Sequence, residues 1–385
     1  MDFDLNEDQR ALKDGVERLL GDRYDFEQRK KHMAESDGWS REQWGRYAEM
    51  GLLALPFAES DGGIGGGAVE TLIVMEAFGS ALVLEPYLAT VVLGGGFLRL
   101  AGSAAQRADL IPRISDGSLL LAFAQAEQQS RYDLADVATA ARRDGAGWVI
   151  NGRKRYVLHG DCADKIIVTA RISGGSCDRT GIGLFIVDAA AAGVSRRGYP
   201  TQDRLRSAEI TFENVRVDAD AVIGEPGAAL PLIEQVVSAA MAALCAEAVG
   251  AMTRAHTVTV DYLKMRKQFG TTIGSFQALQ HRAVDMLVQV ELARSMALYA
   301  AMMSEEPNAL KRGSAVSAAK AQIGRAGHFV GGQAVQLHGG IGMTNEYMIG
   351  HYYRRLTMID LQFGDSNHHL GVLARTGGLL ESAEI

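Results

Sequence analysis

The sequence predicts an α+β multidomain chain that runs helical, then β, then helical, over residues 1–115, 116–226 and 227–385. Three observations predict it. First, the seven prolines leave none between Pro231 and Pro307 and none after Pro307, and both stretches are rich in Ala, Leu, Met and Gln. Proline breaks a helix interior at about 3 kcal/mol, so such stretches favour long helices. Second, the middle is cut into short β-branched or alternating runs by Gly, Ser and Asp turns, the pattern of an antiparallel sheet or barrel. Third, 385 residues exceed one ordinary core of roughly 100–200 residues, so two or three domains are expected.

Taken in order, Asn6-Glu-Asp-Gln opens a first helix through Leu12, Val16, Leu19 and Leu20. Ser40 with Gln43 resembles a capping box before a second. Gly62–Gly67 and Gly94–Gly96 read as breaks in the helical pattern. The β segment is carried by Val149-Ile-Asn-Gly, Lys165-Ile-Ile-Val-Thr-Ala, Ile182-Gly-Leu-Phe-Ile-Val and Ala208-Glu-Ile-Thr-Phe-Glu-Asn-Val-Arg-Val. From Leu232 to Met303, and again over 308–335, apolar residues recur at three- and four-residue spacing, which predicts long helices.

Composition narrows the function classes. The chain is 47% hydrophobic and 22% charged, with 39 Lys and Arg against 46 Asp and Glu, a net charge of −7. An acidic balance argues against nucleic acid as a partner, which needs clustered surplus cations. Cys162, Cys177 and Cys245 are too few and scattered for a disulfide framework or zinc site, and no metal is expected. No apolar run approaches the ~20 residues of a membrane span, and the acidic N-terminus begins no signal peptide, so a soluble, cytoplasmic protein is expected.

Most familiar motifs are missing or misplaced. Gly62-Gly-Ile-Gly-Gly-Gly follows no strand, so it reads as a surface turn and not a dinucleotide loop. No Walker-type Gly-Lys-Ser/Thr, GxSxG or HExxH is present, and the adjacent His368 and His369 should point apart instead of sharing a metal. The informative text is C-terminal. Arg266-Lys-Gln-Phe269-Gly270 closes a helix, Gln277 follows in Ser275-Phe-Gln, and later comes Gln336-Leu-His-Gly339-Gly340-Ile-Gly-Met. Paired glycines let a backbone approach a phosphate or ribose, and an arginine can pair with a pyrophosphate.

This combination resembles the acyl-CoA dehydrogenases, a family of FAD-dependent flavoenzymes. The likeness spans the chain, from Gly51-Leu-Leu-Ala-Leu-Pro-Phe, through Gly152-Arg-Lys-Arg-Tyr-Val-Leu-His and Phe212-Glu-Asn-Val-Arg-Val, to the C-terminal motifs. Within the family it is most similar to small subunits of pimeloyl-CoA dehydrogenase, through MDFDLNEDQR, Arg23-Tyr-Asp-Phe-Glu and Phe363-Gly-Asp-Ser-Asn-His-His-Leu. The resemblance implies an N-terminal helical domain, a central antiparallel β-barrel-like domain and a C-terminal four-helix bundle. It implies FAD as cofactor, with Arg266, Phe269 and Gln277 reaching the FAD of a neighbouring subunit and Gln336, Gly339 and Gly340 wrapping its adenosine diphosphate. Tyr156 matches an aromatic beside the isoalloxazine. The hydroxyl usual two residues later is missing at Leu158, and the usual Thr-Glu-Pro is replaced within Ala124-Gln-Ala-Glu127. An acyl-CoA substrate, an electron-transfer flavoprotein or similar acceptor, and a homotetramer or a heterotetramer with a related subunit are implied in turn.

The family reaction, conversion of an acyl-CoA to a trans-2-enoyl-CoA, needs a carboxylate to take the α-proton. Its two usual positions correspond to Phe363 and Ala240, and neither is acidic. Glu247 lies seven residues after Ala240, on the same helix face about 10 Å further along. Among Ala, Leu, Cys and Val it is either the base or a buried ion-pair member, with an Arg for partner. Asp365, two residues past Phe363, reads as a loop cap. The favoured reading is therefore an FAD-dependent acyl-CoA dehydrogenase with Glu247 as base, and the alternative is a non-catalytic subunit that completes FAD sites in a heteromeric acyl-CoA dehydrogenase.

Overall fold

The structure, a computed structural model, describes residues 5–377; residues 1–4, which open the MDFDLNEDQR likeness, and 378–385 lie outside the described residues. Its first helix, α1 (Glu7–Arg23), starts at a full capping box: Asn6 Oδ1 accepts from Gln9 N–H at 2.8 Å and Asn6 N–H donates to Gln9 Oε1 at 3.0 Å. Next come α2 (Phe26–Met33) and α3 (Arg41–Glu49). Ser40 caps α3, but only half of the expected box forms: Ser40 N–H donates to Glu85 Oε1 at 3.2 Å, not to Gln43. After α4 (Ala68–Ala81), a π-helix (Leu88–Gly94) runs directly into α5 (Gly95–Ala101), and α6 (Ala104–Ser115) ends the segment.

Gly94–Gly96 are therefore not a break but part of a continuous buried helix. A Cβ on Gly94 would sit 2.6 Å from Leu121 Cβ, and one on Gly95 would sit 2.5 Å from Phe57 Cζ. Glycine serves here for close packing, which periodicity alone does not distinguish from interruption. Gly62–Gly67 is a turn, as expected, with Gly62 and Gly65 at φ +85° and +79°.

The β segment comprises β1 (Leu121–Ala124), β2 (Ala140–Asp144), β3 (Gly147–Leu158), β4 (Lys165–Arg171), β5 (Ile182–Asp188), β6 (Val194–Pro200), β7 (Arg206–Val217) and β8 (Val222–Ile223). They form one sheet in the order β6-β7-β3-β2-β4-β5-β8, with β1 beside β4. The sheet is mixed instead of purely antiparallel, because β1 pairs β4 in parallel. The long connection between them, which holds the β2–β3 hairpin, provides the crossover a parallel pair needs. One core face gathers Ile150, Val157, Ile166, Val168, Phe185, Ile210 and Phe212, with Trp148 edge-on to Phe185.

The last segment holds α7 (Leu230–Met265), a hairpin of β9 (Lys267–Gln268) and β10 (Thr271–Thr272), α8 (Gln277–Met303), α9 (Ala309–His338), α10 (Ile349–Leu361) and α11 (Ser366–Thr376). By length and composition α7 would pass for a membrane span, contrary to the run-length expectation, yet 89% of its most apolar window is buried in the fold. It is a core helix. On α8, Ala283, Met286, Val290, Ala293, Ala297 and Ala300 face inward at helical spacing. Val284, Leu287, Val288 and Leu292 form a second, exposed apolar stripe on the same helix.

By compactness the described residues group into two units. Among the described residues, the first joins 5–31 and 68–83 to 241–377, and the second joins 32–67 to 84–240. Helices α1 and α4 thus belong with the C-terminal helices. In this first unit α4 and α7 cross on reciprocal glycines: a Cβ on Gly79 would lie 1.8 Å from Glu247 O, and one on Gly250 1.8 Å from Glu76 O.

Candidate functional site

The RxxFG segment sits in the first unit, where α7 ends. Phe269 and Gly270 are the two central residues of the β9–β10 hairpin, at φ +55° and +80°. A two-residue hairpin with both φ positive matches the strand twist, and glycine takes the second position without strain. Phenylalanine takes the first at a strain of roughly 1 kcal/mol or more. The turn holds the Phe269 ring 91% exposed, its ring neighbour being Phe276 at 6.3 Å. Arg266 and Gln277 are also exposed, Arg266 directly after α7 and Gln277 as the first residue of α8.

The second predicted segment ends α9. Gly339, at φ +64°, closes the helix, its N–H donating to Gln336 O and Val335 O, and a Cβ on Gly339 or Gly340 would meet open space. Gln336 is exposed. His338, 3% exposed, stacks on Tyr262 at 4.4 Å and 28°, and Tyr262 lies one turn before Arg266. The structure thus brings the two motif segments to one end of the first unit. His338 Nε2 is buried without a partner. A guanidinium, an exposed aromatic ring, two amides and an open glycine turn with free backbone approach fit a dinucleotide carrying a pyrophosphate.

Tyr156 lies in the second unit, on β3. The β3–β7 register shifts between Lys154 and Val157, and Tyr156 takes φ +51° inside that bulge. Bulges re-aim side chains, which gives Tyr156 a direction the strand alternation does not. Two residues earlier on β3, Lys154 Nζ donates to Glu127 Oε1 at 2.7 Å, Thr169 Oγ1 at 2.8 Å and Gln125 O at 3.2 Å. Glu127 also accepts from Ala138 and Thr139 N–H. Burial alone would raise the Glu127 carboxyl, but the charge and hydrogen bond of Lys154 outweigh it and hold it at about 2. Burial pulls Lys154 down to about 8 against the opposing pull of Glu127. The Ala124–Glu127 stretch thus ends in a buried ion pair that ties β1's exit to β3.

Glu247 is an ion-pair member. Its Oε1 and Oε2 accept from Arg355 Nε and Nη2 at 2.5 and 2.6 Å, with 5% and 4% of the two residues exposed. Both carboxylate oxygens are engaged by one planar guanidinium. Phe363 stands at φ +59° in the loop after α10, Ala240 is buried on α7, and Asp365 caps α11 by accepting from His368 N–H at 2.8 Å.

The Phe363 loop is held by residues that sequence reasoning passed over. Lys320, 1% exposed, donates to Ile359 O at 2.5 Å and Asp360 O at 3.3 Å, two carbonyls in the last turn of α10. Asp360 Oδ1 accepts from Ser366 N–H and Oγ at 3.1 and 2.7 Å. Burial lowers Lys320 to about 8, Cys245 and Asp360 opposing it, and burial lowers His369, bonded to Ser317 Oγ at 3.1 Å, to about 3. A lysine inside Ala318-Ala-Lys-Ala321 was the available signal. Among the described residues no group of three or more His, Cys, Asp or Glu is placed to hold a metal.

The sequence matches the acyl-CoA dehydrogenase N-terminal domain over residues 6–118, the middle domain over 122–215 and the C-terminal domain over 232–378. Acyl-CoA dehydrogenase FadE12 of Mycobacterium tuberculosis (strain ATCC 25618 / H37Rv) is 32% identical over 355 residues, 90% of this chain and 89% of that protein. Probable acyl-CoA dehydrogenase YngJ of Bacillus subtilis (strain 168) is 28% identical over 380 residues, 97% and 99% of the two chains. Among solved structures, the Tcur3481-Tcur3483 steroid ACAD is 28% identical with a TM-score of 0.87, over 96% of this chain and 97% of that one.

Proposed function

This chain belongs to the acyl-CoA dehydrogenase family of FAD-dependent oxidoreductases, and we propose that within it the chain completes FAD sites in a heteromer whose related partner chain carries the proton-abstracting carboxylate. The observation that carries this reading is the Glu247–Arg355 pair. A general base must come within ~3 Å of the proton it takes, and Glu247 is 5% exposed with each carboxylate oxygen accepting an N–H of Arg355, which holds the group inside the fold. Phe363 offers none in its place.

Bound FAD would supply the hydride acceptor for oxidation at the Cα–Cβ bond of the acyl-CoA. Arg266, Phe269 and Gln277 would reach the FAD of a neighbouring subunit, with Gln336, Gly339 and Gly340 about the adenosine diphosphate and Tyr156 beside the isoalloxazine. Support for a neighbour comes from the exposed Phe269 ring and the second apolar stripe of α8, surfaces that association would cover. A dicarboxylyl thioester such as pimeloyl-CoA is the substrate we favour, with an electron-transfer flavoprotein or similar acceptor.

A second reading, a self-sufficient homotetramer with Glu247 as base, draws on the presence of both C-terminal segments, Arg266–Gly270 and Gln336–Gly340, in one chain. Anaerobic mixing of the lone, FAD-loaded chain with acyl-CoAs of graded length separates the two. No bleaching of the flavin is expected. Bleaching by any acyl-CoA would overturn the heteromer reading.

A further inference from the structure

We propose that His338 is a positioning residue: stacked on Tyr262 and bonded to the Ala334 carbonyl, it fixes the Gly339–Met343 turn against the end of α7, so that the two FAD-binding segments stand at one spacing before FAD arrives. The proposal deepens the functional reading above and rests on it for the identity of the ligand.

His338 Nδ1 lies 2.8 Å from Ala334 O, and a carbonyl can only accept, so Nδ1 carries the proton. The neutral ring then presents Nε2 as a lone pair, and that nitrogen is buried with no partner. Burial also favours the uncharged ring, moving His338 below its ordinary pKa. The imidazole's contacts are its own helix through Nδ1, the face of Tyr262, and Tyr347, tilted at 5.2 Å.

These contacts join otherwise separate segments. Tyr262 is one turn before Arg266 on α7, and His338 is the residue immediately before Gly339. Gly339 and Gly340 have nothing within 4 Å of a Cβ position, so the turn has no side-chain packing of its own at those residues. Glycine turns are conformationally permissive, and their order must come from flanking anchors. The stack is such an anchor, and fixing the turn beforehand lowers the entropy lost when a ligand binds.

The test uses the full chain without FAD first. Hydrogen exchange at the amides of residues 339–344 should accelerate about 2- to 10-fold in Tyr262→Leu, which loses the stack, and stay at the wild-type rate in Tyr262→Phe, which keeps it. Tyr262 is half-buried, so both variants should fold, as far-UV circular dichroism would verify. FAD affinity, read by flavin fluorescence, should fall by a similar factor in Tyr262→Leu and His338→Ala and be spared in Tyr262→Phe. Wild-type exchange in Tyr262→Leu, or equal loss in the Leu and Phe variants, would overturn the proposal. So would a 15N spectrum showing the proton on Nε2. If neither the lone chain nor its heteromer takes up FAD, the cofactor reading fails, while the exchange comparison still decides the positioning role.

Discussion

Glu247→Gln isolates the Glu247–Arg355 pair. The change keeps shape and removes the charge facing a guanidinium that is 4% exposed. Breaking a buried ion pair by neutralising one partner costs about 3–5 kcal/mol, because the remaining charge keeps its desolvation penalty. With about 2–4 °C lost per kcal/mol in a unit of this size class, the melting of the first unit should fall by roughly 6–20 °C. Urea titration followed by circular dichroism gives the free energy directly, and scanning calorimetry gives the melting shift. The double change Glu247→Leu with Arg355→Met removes both charges and should recover most of the loss, since apolar replacements of a buried pair are often neutral. The reasoning is refuted if Glu247→Gln leaves stability unchanged. Unchanged stability together with an on the order of 10²-fold loss of flavin reduction at full FAD loading would make Glu247 the base.

Three further outcomes follow from the same geometry. Phe363→Glu places a carboxylate in the loop that Lys320 and Asp360 hold, and should let the lone chain bleach its flavin with an acyl-CoA where wild type does not; failure at full FAD loading would show that more than the base is missing. Lys320 has a folded pKa of about 8 against 10.5 unfolded, so the folded state sheds its proton first and stability rises as pH climbs through that window. Relative to Lys320→Met, wild type should gain about 2 kcal/mol between pH 7.5 and 9.5 in urea titrations, and a flat difference would contradict the burial argument. Gly250→Ala puts a Cβ 1.8 Å from Glu76 O, a clash with backbone that must push α4 and α7 apart. A loss of about 1–3 kcal/mol is expected, exceeding the 0.4–1 kcal/mol that alanine gains by restricting the unfolded chain, and a more stable variant would mean the helices separate freely.

The order of helix, sheet and helix was legible because proline placement and β-branched runs are local signals. β3, β4, β5 and β7 stood out; β6, Val194-Ser-Arg-Arg-Gly-Tyr-Pro, did not, since it lies mostly exposed beside β7 and lacks an apolar face. Its pairing with β7, not its composition, makes it a strand. The Gly94–Gly96 helix was misread because glycine signals both a break and a close approach, and only the neighbours decide. The two segments proposed to hold FAD were legible as text, yet their approach through Tyr262 and His338 depends on how α7 and α9 end. Glu247 could be narrowed to two roles, but Arg355 lies on another helix and no spacing rule points to it. Lys320 was hidden because a lysine on a helix ordinarily reads as surface.

The reciprocal contact of Gly79 with α7 and Gly250 with α4 also has a consequence for synthesis. Helix α4 is made early and α7 late, and the first unit is assembled from both ends of the chain. At about 5–20 residues per second, α4 emerges on the order of ten seconds before the helix it must cross. During that interval its small-residue face has no partner, so the first unit cannot close while the ribosome is still on the middle of the message. The second unit, complete by residue 240, can. Fragments cut after the sheet should therefore carry α1 and α4 as unfolded appendages, prone to proteolysis and to capture by chaperones. A workable split of this protein must keep the first helices with the last.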